Sequence, residues 1–216
     1  MYKAFNSDMT LNGYQFEIGK TYESEEGVEF EFCVEMQDCF YQHDINSRIC
    51  EVKAEEIVEG NDKSTCRKIT IIRELPKQEI MDRITNSLLA YLWARDIGNR
   101  KEMIDRVTES RWAHKWAEYI GNREVMIDRV TDSEHAYYWA LHIGNHAVMI
   151  DRITNSKYAF WWAMEIGNHA VMIDRVTESK WAYRWAMEIG DQEVMLPRIT
   201  DESQRGQIEK NMRSQD

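Results

Sequence analysis

Apolar and polar residues follow two different periods along this chain of 216 residues. In the first third the period is two: between residues 28 and 34 apolar residues alternate with Glu29, Glu31 and Cys33. The same alternation in 50–54 and in 67–73 predicts further strands with one buried face. Residues 1–75 are therefore expected to form a small β-rich α+β domain.

From residue 76 onward the apolar period becomes helical, and the whole pattern recurs every 23 residues. In the first copy Ala90, Trp93, Ala94 and Ile97 stand at i, i+3, i+4 and i+7, which predicts one buried stripe on a helix. The unit reads T-[DEN]-S-x-x-A-x-x-W-A-x-x-I-G-[ND]-x-x-[EV]-M-[IL]-[DP]-R-[VI]. Invariant Trp and Gly columns run through five copies (Trp93, Trp116, Trp139, Trp162 and Trp185; Gly98, Gly121, Gly144, Gly167 and Gly190).

Each copy is punctuated as two short helices. The segment 85–87 (T-N-S) supplies candidate N-cap oxygens, Gly98 is a candidate left-handed C-terminal residue, and Asn99 can cap a second helix. Helices of about 11 and 8 residues cannot bury their apolar faces alone, so neighbouring copies are expected to stack. The sequence thus predicts an all-α short-repeat solenoid of helix-turn-helix units over 76–198, followed by a C-terminal cap and polar tail over 199–216.

An Asp-Arg pair ends nearly every copy, as in Asp105-Arg106 and Asp128-Arg129. A catalytic pair is needed once, whereas a packing device is needed in every unit, so repetition favours a structural role. We expect each Arg to bridge neighbouring units. Each Asp is expected to bond Thr or Ser groups or the backbone of the next unit.

Positions that the repeat leaves free carry the functional prediction. At 100° per residue, the positions equivalent to 88, 92 and 95 lie opposite the buried stripe. Large apolar residues occupy several of them in the later copies, and a second column beside them is aromatic. The predicted partner-binding residues are Tyr138, Leu141, Trp161, Met164 and Met187, with Tyr137, Phe160 and Tyr183 from the flanking column.

Exposed apolar and aromatic clusters of this kind are typical of protein interfaces. Binding of another protein is the leading interpretation of the patch. Two alternatives remain: a homo-oligomer closes over it, or the N-terminal domain or the tail covers it.

The net charge of the chain limits the classes of partner that are expected. Lys and Arg total 27 against 38 Asp and Glu, a net charge of −11, and residues 1–75 hold 8 basic and 16 acidic residues. An acidic chain repels phosphate, so no direct nucleic-acid partner is expected. The acidic run 23–35 leaves a DNA mimic acting through the N-terminal domain as an alternative. No apolar run reaches the roughly 18 residues of a membrane span, so a cytoplasmic protein without a membrane partner is expected.

Candidate chemistry is sparse. The chain has no phosphate-binding loop and no zinc-protease helix motif, and Cys33, Cys39, Cys50 and Cys66 lack zinc-ligand spacing. Buried free thiols and no catalytic residue, cofactor or metal are therefore expected. The alternative is an enzyme or small-ligand N-terminal domain, whose polar residues would be Asp8, Asp38, His43, Asp44 and Arg48. A second alternative is a pH-sensitive or metal-binding face on the repeats, formed by His135, His142, His146 and His169, although variable surface residues explain them more simply.

The opening segment resembles an uncharacterised domain common in phage and prophage proteins. The resemblance rests on 3–10 (K-A-F-N-S-D-M-T), 13–22 (G-Y-Q-F-E-I-G-K-T-Y) and 68–75 (K-I-T-I-I-R-E-L). Relatives usually carry Gly-Phe-His between two cysteines, where this chain has the segment 33–39 (C-V-E-M-Q-D-C). The resemblance implies a phage context and no chemistry. It leads to the expectation of a phage-encoded, non-enzymatic protein that engages a host protein, with inhibition of a host defence system as the expected role.

Overall fold

The computed structural model describes residues 1–11, 13–25, 28–59 and 64–214. The chain forms two compact units, 1–108 and 109–216. The first holds the N-terminal domain and the first helical repeat, and the second holds the remaining repeats and the C-terminal helix.

The N-terminal domain is built on an antiparallel β-sheet. Its strands among the described residues are β1 (Tyr2–Phe5), β4 (Thr21–Glu23), β5 (Phe30–Phe32), β6 (Arg48–Glu59) and β7 (Ser64–Glu74). They lie in the order β1-β6-β7-β4, and β5 also pairs with β7. A separate hairpin joins β2 (Thr10–Leu11) to β3 (Tyr14–Gln15).

Alternating residues of the long strands form the core of this domain. Cys50, Val52 and Ala54 of β6 are buried, as are Ile69 and Ile71 of β7. The two predicted strands are therefore confirmed. The strand predicted for 28–34 is shorter than expected, because only Phe30–Phe32 pairs with β7 and the flanking Val28 and Val34 are exposed.

Short helices complete the first unit: a 3-10 turn (Met36–Asp38), α1 (Cys39–Gln42), α2 (Lys77–Arg83), α3 (Ser87–Asp96) and α4 (Arg100–Met103). An ionic cluster ties α2 to the sheet, since Glu79 accepts hydrogen bonds from both Arg73 and Arg83. The Gln37 side chain bonds Thr85 and Asn86, which precede α3. The first repeat thus continues directly from the β domain.

The second unit repeats one helix pair every 23 residues. Its long helices are α5 (Ser110–Tyr119), α7 (Ser133–His142), α9 (Ser156–Glu165) and α11 (Ser179–Glu188). Each is followed by a four-residue helix, namely α6 (Arg123–Met126), α8 (His146–Met149), α10 (His169–Met172) and α12 (Gln192–Met195), which runs into a 3-10 turn. The predicted helical array is confirmed, with helices of ten residues and of four plus three.

A Gly-Asn turn joins the two helices of a repeat. Gly144 has a φ of +104° and Asn145 a φ of +58°, and the Gly144 amide donates to the carbonyl of Trp139. Glycine and asparagine are the residues that adopt positive φ at least cost. This explains why the repeat keeps Gly followed by Asn or Asp.

Arginine bridges the repeats as predicted. Arg152 Nη1 donates to the carbonyls of Ile127 and Val130 in the preceding repeat, and Arg175 and Arg198 repeat the arrangement one and two units later. The prediction for the aspartates is wrong. Asp128 is exposed and lies 3.5 Å from Arg152 Nη2, a loose ion pair in water, because the buried bonding sites are taken by serine.

Serine forms the second bridge between repeats. The Oγ of Ser133 accepts the amide of Thr154 at 2.8 Å and donates to the carbonyl of Arg152 at 3.1 Å. Ser110 and Ser156 make the same pair of bonds to their following repeats. One small hydroxyl thus satisfies two backbone groups at each junction.

Ser133→Ala is expected to lower the free energy of unfolding by about 1–3 kcal/mol, because it takes the hydroxyl partner away from a partly buried amide and carbonyl. Urea unfolding followed by circular dichroism measures this. Ser179→Ala is the matched control: Ser179 is half-exposed and holds the Thr200 amide at 2.9 Å, so its loss should cost about 1 kcal/mol or less. Equal losses for the two variants would contradict the bridging role.

The array ends in a longer helix, α13 (Glu202–Arg213), in the region predicted as a cap and tail. The Asp201 side chain caps it by accepting the Gln204 amide, and Ile208 is fully buried. Its packing against α11 closes the last apolar face, while most of its remaining residues are polar and exposed.

Candidate functional site

The exposed face of the long helices matches the free positions of the repeat. In α9 the three positions hold Lys157, Trp161 and Met164, of which Lys157 and Met164 are exposed and Trp161 is half-buried. The flanking aromatic column behaves differently: Phe160 is 0% and Tyr137 5% exposed. Because each long helix packs on both neighbouring repeats, these two side chains lie largely inside the array.

A groove of about 410 Å³ opens on this face between α7 and α9. The groove gathers four of the predicted residues in its lining, together with one basic and one acidic residue. Its lining consists of Tyr137, Tyr138, Leu141, Lys157, Tyr158, Trp161 and Glu165. The predicted neighbours Tyr138 and Trp161 are thus brought together, with Leu141 beside them.

Polar contacts hold the walls of the groove in place. Tyr137 donates a hydrogen bond of 2.7 Å to Glu165, which ties α7 to α9, and burial together with this carboxylate raises the pKa of Tyr137. The Arg184 guanidinium lies over the rings of Phe160 and Trp161, at 4.7 and 5.2 Å from their centroids. The aromatic walls are therefore fixed before any partner arrives.

The two predicted methionines lie outside the groove lining. Met164 is 43% and Met187 41% exposed. Met187 is close to α13, where its sulfur lies 3.5 Å from Asn211 Nδ2, and Tyr183 donates to Gln207 at 2.8 Å. The C-terminal helix therefore covers part of the predicted patch around Tyr183 and Met187 and leaves the α7–α9 groove open.

A second polar cluster lies next to this groove. His114 and Glu118 of α5 and His142 of α7 bring their ligand atoms within 4.8 Å of one another. Burial lowers the pKa of His114 to about 4, so its imidazole is uncharged at neutral pH. The predicted group of four histidines is not one cluster: His146 and His169 donate to helix carbonyls, and His135 pairs with Asp132.

Sequence reasoning missed two other columns of the repeat. One holds Trp112, His135, Tyr158 and Trp181, and it is buried at Tyr158 and Trp181. The other consists of Val125, Val148, Val171 and Val194 on the short helices, each 43–44% exposed. The signal for both was present in the 23-residue register, because each column recurs at that spacing.

Thiols in the N-terminal domain surround a buried lysine. All four cysteines are free, with three buried and Cys33 half-buried. The side chain of Lys3 is buried beside Cys33, Cys39 and Cys66; burial lowers its pKa, and its Nζ donates to the carbonyl of Glu31 at 2.5 Å. A hydrogen bond between Cys33 and Cys39 lowers the pKa of Cys33 and raises that of Cys39.

The family of this domain follows from comparison with known sequences. Residues 1–83 match the model of a domain of unknown function, DUF7666. The N-terminal region is a DUF7666 domain. The match runs through α2, past the predicted boundary at residue 75. Neither the curated proteins nor the solved structures contain a match to the chain.

The DUF7666 domain engages its polar candidates in local structure. Asp8 and Asp44 accept hydrogen bonds from Thr10 and Asn46 within turns, and Arg48 forms an ion pair of 2.5 Å with Glu74 of the neighbouring strand. These contacts explain three of the five residues proposed for an enzymatic site. On the sheet, glutamates pair with basic side chains, as in the 3.0 Å ion pair of Glu23 and Lys68. Part of the run 23–35, residues 26 and 27, lies outside the described residues.

None of the helices within the described ranges combines the length and the apolarity that crossing a membrane requires.

Proposed function

We propose that this chain is a non-enzymatic binding protein whose helical array holds a segment of another protein in the α7–α9 groove. The observation that supports this most directly is the groove itself, where Tyr138, Leu141 and Trp161 line one concave surface. Tyr and Trp on rigid elements are the residues that dominate binding energy at protein interfaces. The groove volume also falls within the range of about 300–1,000 Å³ typical of ligand sites.

The charge of the chain indicates the chemistry of the partner. With a net charge of −11, most of it on the DUF7666 domain, the protein attracts a basic surface over long range. We infer a segment with one or two large apolar anchors, flanked by Lys or Arg that pair with Glu165 at the groove edge. In the finer form of the proposal, the protein is phage-encoded, the segment belongs to a host protein, and binding inhibits a host defence system.

A site-specific crosslink tests the proposal. A photoreactive amino acid is placed at Met164, one helical turn from Trp161, and in a control at Val171, which is equally exposed on a short helix. After irradiation in a bacterial lysate we expect one dominant adduct from position 164 and none from position 171. Adding Tyr138→Ser and Trp161→Ser should remove the adduct while the helical circular dichroism spectrum stays unchanged.

Other outcomes separate the alternatives. An adduct between two copies of this chain would indicate that a homo-oligomer, and not another protein, covers the groove. Equal adducts at both positions, or an adduct that survives the double substitution, would contradict binding at the groove. Weakening of the adduct by salt without dependence on Trp161 would instead favour the acidic mimic in the DUF7666 domain.

A further inference from the structure

One junction of the array departs from the pattern of its neighbours. Between α7 and α9 the repeat places Tyr137 against Glu165, and these side chains satisfy each other through a 2.7 Å hydrogen bond. One repeat earlier, between α5 and α7, the same two positions hold His114 and His142. A donor and an acceptor carboxylate are thus replaced by two imidazoles.

The two imidazoles do not satisfy each other through a hydrogen bond as Tyr137 and Glu165 do. Their ring centroids are 5.9 Å apart, and the ring planes are inclined by 26° in a stacked arrangement. Within the described part of the chain, the Nε2 of His114 is buried without a hydrogen-bond partner, and the residue is only 3% exposed. A buried polar atom in this state calls for a missing partner, such as a water or an ion.

A carboxylate completes the set. Glu118 stands one helical turn after His114, where the next repeat has Leu141, and its Oε1 lies 4.0 Å from Nδ1 of His142. Its other oxygen accepts a hydrogen bond of 3.1 Å from Lys115. The lysine therefore orients the carboxylate and leaves one oxygen directed at the histidines, as outer residues do around metal ligands.

We propose that His114, Glu118 and His142 bind one divalent transition-metal ion of the zinc class. Two imidazoles and one carboxylate are a common zinc ligand set, with a fourth position left for water or an incoming ligand. Tetrahedral zinc with bonds of about 2.0–2.1 Å needs its ligand atoms about 3.4 Å apart. The three atoms already lie within 4.8 Å, and the exposed His142 can close the difference by side-chain rotation.

The ion would join neighbouring repeats at the edge of the binding groove. Tyr138, which lines the groove, stacks beside both histidines with centroid distances of 6.4 and 6.0 Å. The inference stands independently of the proposed protein partner, because every ligand comes from this chain. A bridging water in place of the ion is the competing account, and it predicts no metal affinity.

Metal titration of the full-length chain tests the proposal. After dialysis against a chelator, isothermal titration with Zn²⁺ should show one tight site, and the thermal unfolding midpoint should rise with bound metal. His142→Asn and Glu118→Gln should each weaken this site by at least about 100-fold. The matched control His146→Asn, which removes an exposed histidine that begins α8 and is not among the three ligands, should leave the affinity unchanged.

Cobalt distinguishes this site from the thiols of the DUF7666 domain. Co²⁺ held by nitrogen and oxygen ligands gives visible ligand-field bands, whereas thiolate ligation adds an intense near-ultraviolet charge-transfer band. We expect ligand-field bands alone, lost in His142→Asn. Either absence of stoichiometric binding, or binding that persists in His142→Asn with a thiolate band, would overturn the proposal.

Discussion

Replacing Trp139 with Ala should lower the free energy of unfolding by about 3–5 kcal/mol. The indole of Trp139 is fully buried in α7, at the centre of the second unit. Its removal discards the transfer free energy of a large side chain and leaves a cavity that a stack of regular helices cannot collapse. Guanidinium-induced unfolding, followed by helical circular dichroism, measures the loss.

Two matched variants separate packing from the other roles of tryptophan. Trp139→Phe keeps most of the volume and also removes an indole N–H that is buried without a partner among the described residues, so its cost should stay below about 1.5 kcal/mol. Trp161→Ala removes a half-exposed side chain, at about 1–2 kcal/mol. Equal destabilisation by Trp139→Ala and Trp161→Ala would contradict the assignment of one to the core and the other to the groove.

Arg152→Met should cost about 2–4 kcal/mol of unfolding free energy. The guanidinium donates to the carbonyls of Ile127 and Val130, which begin and follow the 3-10 turn of the preceding repeat. Methionine preserves the aliphatic stem but removes the side-chain donor from both carbonyls in a partly buried setting, and leaves the Ile127 carbonyl only its bond from the Val130 amide. The same unfolding experiment measures the effect.

Charge alone is not the source of this stabilisation. Asp128→Asn removes the carboxylate that faces Arg152 Nη2 at 3.5 Å, and because that carboxylate is 86% exposed the change should stay within about 0.5 kcal/mol. Arg152→Lys keeps the charge but lacks the planar fork that reaches two carbonyls, so it should recover little stability. Full recovery with lysine would show that the ion pair, rather than the paired hydrogen bonds, holds the repeats together.

The sequence predicted the array well because its constraints are local. A helix boundary at Gly144 and the exposure of Leu141 and Met164 depend on residues within one or two turns. The 23-residue register then extended each local conclusion to every copy. The same register placed Arg152 between repeats, since a side chain at the end of one unit must meet the unit before it.

Lateral packing was harder to predict. A single buried stripe implies that a helix has one covered side, but Tyr137 and Phe160 are buried because a long helix in an array has neighbours on two sides. The meeting of His114 with His142 requires the sideways offset of adjacent helices, which no periodicity within one helix reveals. The aspartates are exposed because the small serine hydroxyl, and not the carboxylate, bonds the backbone groups at the junction between repeats.

In the DUF7666 domain the strands with long alternating patterns were predictable and the short ones were not. β6 and β7 carry enough alternation to mark one buried face, whereas β1 offers four residues, one of which is a buried lysine. The burial of Lys3 is compensated by the hydrogen bond that its Nζ donates to the carbonyl of Glu31, a contact across 28 residues of sequence. A hydrophobicity pattern cannot predict a hydrogen bond that compensates the burial of a lysine.

The serine and arginine bridges bear on how such a chain evolves. Every one of these bonds in the second unit joins residues 19–25 positions apart, so a repeat carries its own half of each junction. An in-frame duplication of one copy would therefore insert with both junctions already complementary, and a deletion would rejoin the survivors in the same way. Duplication or deletion of whole repeats can thus lengthen or shorten the array, or shift the position of a groove or a histidine cluster, while the contacts between repeats stay the same.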